Sequence, residues 1–121
     1  MKHTILIKNV REKPLKTDGF RVLVDRLWPR GLTKKEVAYD LWAKELAPST
    51  ALRKWYGHEL SLWAGFCKRY LAELEKNAFV SSFWEQVQDH ATITLLYGAK
   101  DREHNQAVVL RNFLSGQPGG A

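Results

Sequence analysis

The sequence predicts an α/β protein in which a small, mostly parallel sheet is flanked by helices. Short apolar and β-branched runs, typical of strands covered on both faces, are separated along the chain by amphipathic helical patterns. Of the 121 residues, 45% are hydrophobic, which excludes intrinsic disorder and suffices for one core. We therefore expect a single compact domain over residues 1–115 and a flexible Gly- and Pro-containing tail over residues 116–121.

Three segments read as strands, and they are Thr4–Val10, Phe20–Asp25 and Ala91–Tyr97. A weak alternation at Tyr39–Ala43 indicates further extended backbone. The charged connection Arg11–Gly19 contains a proline and ends in an Asp-Gly turn, so we expect a loop or one arm of a broad hairpin.

Capping residues and apolar stripes predict the helices. Thr33 with Glu36 forms a capping box that begins a short helical turn, and Ser49 is the expected N-cap of a helix that ends at Gly57. Apolar residues at helical spacing predict three further helices, at 59–76, 78–89 and 102–114, the last with Asp101 as N-cap.

The positive charge is concentrated near the amino terminus. The formal net charge is +6, yet residues 1–35 alone carry ten Lys or Arg against three acids. Such a region is either a solvated face or a contact surface for an anionic partner, which would be a phosphorylated small molecule or a nucleic acid.

Several classes of protein are excluded by what the sequence lacks. Cys67 is the single cysteine, so no intrachain disulfide forms, and no run is long enough for a signal peptide or a membrane helix. We expect a cytoplasmic protein with no membrane partner. No zinc-ligand spacing, P-loop or GxGxxG motif is present, so we predict neither a metal nor a cofactor. The oligomeric state is left open.

The first candidate segment follows the second predicted strand. In open α/β sheets ligands lie outside the carboxyl ends of strands, where the chain here reads Asp25-Arg26-Leu27-Trp28-Pro29-Arg30-Gly31. Arg26 and Arg30 are forked donors suited to phosphate or carboxylate. Trp28 either stacks on a base or sugar or packs in the core. Asp25 either transfers a proton or is tied to a neighbouring arginine or backbone group.

The second candidate segment, YGAKDREHN, follows the last predicted strand. Lys100 adds charge near a helix start, and Asp101 either caps that helix or takes part in chemistry. His104 either is a solvated histidine or acts as a base, since a helix N-terminus favours its neutral form. If the second and last strands are parallel neighbours, these residues and Asn105 face Asp25 across a crevice.

Three blocks carry a family resemblance. RVLVDRLWPRG, ELAPSTALRKWYGH and TLLYGAKDREHNQAVVL resemble the YeaO-like proteins, bacterial uncharacterised proteins of domain-of-unknown-function family 488. The resemblance implies a single α/β domain without an assigned activity. Longer relatives have a cysteine and a Cys-His-Arg run in the block matching 97–105, where this chain has Tyr97 and no such run. Thiol or metal chemistry suspected there does not carry over.

Three functions remain open from the sequence. The first is binding of an anionic, phosphate-bearing small molecule, with a hydrolase or transferase reaction if the protein is an enzyme. The binding residues would be Arg26, Trp28, Arg30, Lys100 and Asn105, and proton transfer would use Asp25, Asp101 or His104. The second is a nucleic-acid-binding module that uses the basic amino-terminal region. The third is a protein-interaction domain without a ligand.

Overall fold

The computed structural model describes residues 2–117. Its strands are β1 (Thr4–Asn9), β2 (Phe20–Leu23), β3 (Leu41–Trp42) and β4 (Thr92–Tyr97), and its helices are α1 (Lys34–Val37), α2 (Thr50–Tyr56), α3 (Trp63–Glu75), α4 (Phe79–Val87) and α5 (Gln106–Ser115). Short 3-10 turns lie at Lys16–Asp18, Lys44–Leu46 and Leu60–Leu62. The part of the tail at 118–121 lies outside the described residues.

The four strands form one parallel sheet with the order β1-β4-β2-β3. The predicted α/β class is therefore confirmed, and the weak pattern around Tyr39 does contain a strand, although it is only two residues long. The hairpin alternative for Arg11–Gly19 is wrong, because β4 lies between β1 and β2 and both pair with it in parallel.

Helices and loops cover both faces of the sheet. On one face, alternate strand residues such as Val22 and Leu95 join a core with α2, α3, α4 and α5. On the other face, Leu23 and Leu96 pack with Val37 and the rings of the 28–42 segment. Central strands covered in this way need nearly continuous apolar sequence, which explains the runs that predicted them.

The predicted caps form as expected at two helices. Thr33 and Glu36 bond reciprocally to each other's backbone N–H, and the Ser49 hydroxyl accepts from Leu52 N at 3.1 Å. The last helix is different, because α5 begins at Gln106 with Asn105 as its N-cap. Asp101 instead accepts hydrogen bonds from the backbone N–H groups of Glu103 and His104, both at 2.9 Å, and so caps the preceding turn.

A cluster of charged side chains is buried under the β1–β2 connection. Asp18 accepts a hydrogen bond from Arg21 on one carboxylate oxygen and one from Lys8 on the other, the latter at 3.0 Å. The Arg21 guanidinium also donates to the carbonyls of Ala38 and Val37 at 2.9 and 2.7 Å. Burial alone would raise the pKa of Asp18, but hydrogen bonds from the Leu15 backbone and from Lys8 and Arg21 lower it below its ordinary value.

Two expectations concern single features. No helix within residues 2–117 is long and apolar enough to cross a membrane. Cys67 is partly buried against the main core, and burial raises the pKa of its thiol, as expected of a packing cysteine.

Candidate functional site

A cleft of about 540 Å³ opens at the carboxyl ends of β2 and β4. Its wall is built from the loop after β2, the loop after β4, the start of α5 and the end of α2. The polar and aromatic side chains that line it are those of Arg11, Asp25, Arg26, Trp28, Arg30, Arg53, Lys54, Tyr56, His58, Phe66, His104, Asn105 and Gln106. The two segments selected from the sequence therefore do meet, because β2 and β4 are parallel neighbours.

Asp25 joins the two segments. Its Oδ2 accepts from Gly98 N at 3.0 Å, and its Oδ1 accepts from the Gln106 side-chain amide. Gly98 is required for this approach, since a Cβ at that position would lie 2.7 Å from Asp25 Oδ2. Burial raises the pKa of Asp25 to about 6, against the lowering effect of these two hydrogen bonds and of the nearby charges of Arg53 and Arg11.

Two of the cleft arginines are held by backbone carbonyls. Arg26 donates from Nε to Pro48 O at 2.9 Å and from Nη2 to Ala47 O at 3.2 Å. Arg11 donates to Gly98 O at 3.2 Å and to Arg30 O at 3.0 Å. These guanidiniums fix the loops around the cleft and contribute their charge to it.

Three further cations lie at the mouth of the cleft. Arg30, Arg53 and Lys54 are exposed, and within residues 2–117 none of them has an ion-pair partner. They can therefore turn toward a bound molecule without breaking an existing salt bridge.

The aromatic wall comes from α2 and α3. The Tyr56 ring packs on Phe66 with centroids 4.6 Å apart and on Trp63 at 5.9 Å. Tyr56 is only 6% exposed. Among the described residues its hydroxyl has no hydrogen-bond partner, and that oxygen is not sealed from solvent. Burial is the main reason that the pKa of Tyr56 is raised.

His104 and Asp101 form a pair at one edge of the cleft. His104 Nδ1 lies 3.0 Å from Asp101 Oδ2, and the His104 ring meets Trp63 edge-on with centroids 5.2 Å apart. Hydrogen bonds from the backbone of Glu103 and His104 lower the pKa of Asp101, so its carboxylate stays charged. If Nδ1 carries the proton that Asp101 accepts, Nε2 is the nitrogen left to act on a ligand.

The structure places some of the residues proposed from the sequence in the wall of the cleft and others outside it. Asp25, Arg26, Trp28, Arg30, His104 and Asn105 line the cleft. Lys100 and Asp101 do not line it, which corrects the expectation that both face the crevice; Asp101 backs His104 instead.

Trp28 and Asn105 have structural partners that explain them. The Trp28 indole donates to Leu32 O at 2.7 Å and packs edge-on against Tyr39 and Trp42. Asn105 caps α5 through Val108 N at 3.2 Å and donates to Asp101 O at 2.9 Å. Trp28 thus packs against other aromatic rings, as one of the two alternatives for it expected, although it also lines the cleft.

Sequence reasoning missed the contribution of α2. Arg53, Lys54, Tyr56 and His58 belong to a block that was predicted as a helix ending at Gly57 and noted for its family resemblance, but not proposed as part of a site, because it follows no strong strand. The signal that could have found them is the run Arg-Lys-Trp-Tyr-Gly-His, in which two bases are followed by two aromatic rings and a histidine beside a helix end.

Comparison with known proteins agrees with the three sequence blocks. Residues 4–118 match the family model described as the inactive DUF488-N3 subclade. The chain belongs to the DUF488 family. It is 42% identical over 110 residues to the uncharacterized protein YeaO of Escherichia coli strain K12, which covers 91% of this chain and 96% of that protein.

A less similar relative is also uncharacterized. The chain is 34% identical over 100 residues to the uncharacterized protein Rv3073c of Mycobacterium tuberculosis strain H37Rv, covering 83% of this chain and 84% of the relative. No solved structure gave a significant match. The YeaO-like resemblance is confirmed, and it carries no assigned activity with it.

Proposed function

We propose that the cleft binds a small anionic molecule, with a phosphate group as the best-fitting anion. The supporting observation is the charge of its lining, where five bases meet a single carboxylate. The bases are Arg11, Arg26, Arg30, Arg53 and Lys54, and the carboxylate is Asp25. Convergent arginines are the side chains best suited to phosphate, because their forked donors match its oxygens.

The size and construction of the cleft support the same proposal. A volume of about 540 Å³ lies in the range usual for small-molecule sites, and apolar rings line it beside the charges. Arg11 and Arg26 are fixed by carbonyls, so part of the positive field is organised before a ligand arrives.

Binding without turnover is favoured over catalysis. None of the described residues that line the cleft is Ser, Cys or Thr, so no covalent nucleophile of these types faces a ligand. The subclade is itself described as inactive. The catalytic alternative, a hydrolase or transferase, would rest on His104 as a base positioned by Asp101, with Asp25 as a second proton carrier.

The nucleic-acid alternative is less well supported. Lys8 and Arg21 belong to the basic amino-terminal region, but both form salt bridges with the buried carboxylate of Asp18. The interaction-domain alternative would rest on five exposed large hydrophobic residues, which belong to separate segments of the described chain. These residues are Leu6, Leu15, Leu27, Leu60 and Leu71.

Isothermal titration with inorganic phosphate, ribose 5-phosphate and adenosine monophosphate tests the proposal. We expect at least one of them to bind the parent protein, and Lys54→Glu or Arg53→Glu to weaken that binding at least tenfold. Lys68→Glu is the matched control, because Lys68 is an equally exposed helical lysine outside the cleft. Equal binding by Lys54→Glu, Arg53→Glu and Lys68→Glu would refute the site.

A single-stranded oligonucleotide in the same titration distinguishes nucleic-acid binding from binding of a small anion. Binding of the oligonucleotide alone, falling steeply between low and moderate salt, would transfer the proposal to nucleic acid. No heat from any of these probes would leave the interaction-domain alternative.

A further inference from the structure

We propose that the ligand of this cleft is a zwitterion, whose ammonium group binds the Asp25 carboxylate while its anionic group is held by the cations at the mouth. This inference rests on the proposed function and adds a second charge to the ligand. It follows from how Asp25 is bonded, from where the opposite charges lie, and from an unpartnered hydroxyl in the wall.

Asp25 has only neutral partners. One oxygen accepts from a backbone N–H, that of Gly98, and the other accepts from the amide of Gln106. No lysine, arginine or histidine within residues 2–117 forms a salt bridge with it. A partly buried carboxylate is costly to keep charged unless a cation compensates it, and the nearby charges of Arg53 and Arg11 offset the burial of Asp25 only in part. Each oxygen uses one of its two acceptor positions, so the carboxylate can still receive donors from a ligand.

The charges of the cleft are separated by depth. Asp25 is partly buried, whereas Arg30, Arg53 and Lys54 are exposed at the mouth. A molecule with only negative charge would gain from the mouth and be repelled by the ionised carboxylate further in. A molecule with an ammonium at one end and an anionic group at the other satisfies both regions at once.

The Tyr56 hydroxyl is the third group of the cleft to which a ligand could form a hydrogen bond. Tyr56 lines the cleft and is only 6% exposed, and its hydroxyl, which solvent still reaches, is bonded to no other residue in the described part of the chain. Arg53 lies three residues earlier on α2 and therefore on the same side of that helix. We assign both side chains to the anionic group of the ligand, the hydroxyl as a neutral donor beside the guanidinium.

A matched pair of ligands tests the ammonium contact. Phosphoethanolamine and n-propyl phosphate have nearly the same size and the same anion, but only the first has an ammonium group. At pH 7.5 we expect the parent to bind phosphoethanolamine at least tenfold more tightly. In Asp25→Asn this preference should fall below threefold, because the amide has no charge to pair with the ammonium. Asp25→Ser serves if the asparagine variant does not fold.

The outcomes separate this inference from the proposed function. Equal affinities for the two compounds in the parent, or a preference that survives in Asp25→Asn, would overturn the zwitterion while leaving the anion site intact. Binding of inorganic phosphate without binding of phosphoethanolamine would do the same. No binding of either compound or of any anion in the earlier panel would overturn both proposals. As a second readout, Tyr56→Phe should weaken both compounds by a similar factor, since its hydroxyl is assigned to the anion.

Discussion

Replacing Asp25 with asparagine should stabilise the protein at neutral pH, although it removes a hydrogen-bonded residue from the centre of the site. The asparagine carbonyl can still accept from Gly98 N, and its NH₂ can donate to the side-chain oxygen of Gln106 once that amide is rotated. What disappears is the cost of holding a charge in a buried position.

The magnitude follows from the pKa of Asp25. A rise from the ordinary value of 3.8 to about 6 corresponds to about 3 kcal/mol of native-state destabilisation once the carboxyl is ionised. Because Asp25 keeps some contact with solvent, we expect about 2 kcal/mol, or roughly 8 °C in the unfolding midpoint for a domain of this size.

The sign of the pH dependence is fixed by the direction of that pKa. Below about pH 3.8 the carboxyl is protonated in both the folded and the unfolded state, and the charge makes no contribution. Between pH 4 and 6 the unfolded state ionises first, so the parent loses stability as the pH rises; above about 6 the loss is complete. The advantage of Asp25→Asn should therefore grow from pH 4 to pH 7.5.

Urea unfolding of parent and variant at pH 4.0, 5.5 and 7.5 measures this difference directly. Asp101→Asn is the matched control, because hydrogen bonds from the Glu103 and His104 backbone lower the pKa of Asp101 and removing its charge should not stabilise the fold. A difference between Asp25→Asn and the parent that stays constant across the three pH values would refute the argument from burial.

Three further predictions concern stability and are checked by the same urea titrations. Asp18→Asn should cost about 3 kcal/mol at pH 7.5, because it leaves Arg21 buried without its carboxylate; the parent's advantage should shrink below pH 3.8, and an unchanged midpoint would show the cluster to be dispensable. Gly98→Ala should cost about 1–2 kcal/mol, because the new methyl group displaces Asp25 from Gly98 N, and wild-type stability would contradict the close approach. Thr33→Ala should cost about 1 kcal/mol through loss of the cap, whereas Thr50→Ala, at an exposed position next to a cap, should cost less.

The sequence predicted where the candidate cleft lies better than it predicted which residues line that cleft. Apolar runs identified β2 and β4, and the rule that ligands lie beyond the carboxyl ends of parallel strands then selected Asp25 and His104 correctly as neighbours of one cleft. The adjacency itself required the order of strands in the sheet, which no local pattern contains.

The errors have local physical causes. Asp101 and Asn105 are both good capping residues four positions apart, and propensity cannot decide between a long helix and a capped turn followed by a shorter helix. Lys100 lies immediately before that turn, is exposed, and does not line the cleft. The carbonyl partners of Arg26 come from the segment before α2, so its structural role depends on a contact that lies 21 and 22 positions away along the chain.

The position of β4 in the sheet has a consequence for how the protein is made. It is the last strand of residues 2–117, yet it pairs with both β1 and β2, so neither of those strands has its main partner until residues 92–97 have been synthesised. The first 91 residues can form helices but cannot close the sheet, and the segment carrying Gly98, His104 and Gln106 follows directly after. During translation, β1 has no partner strand and β2 can pair only with the two-residue strand β3, so a nascent chain released early would expose both apolar strands to aggregation.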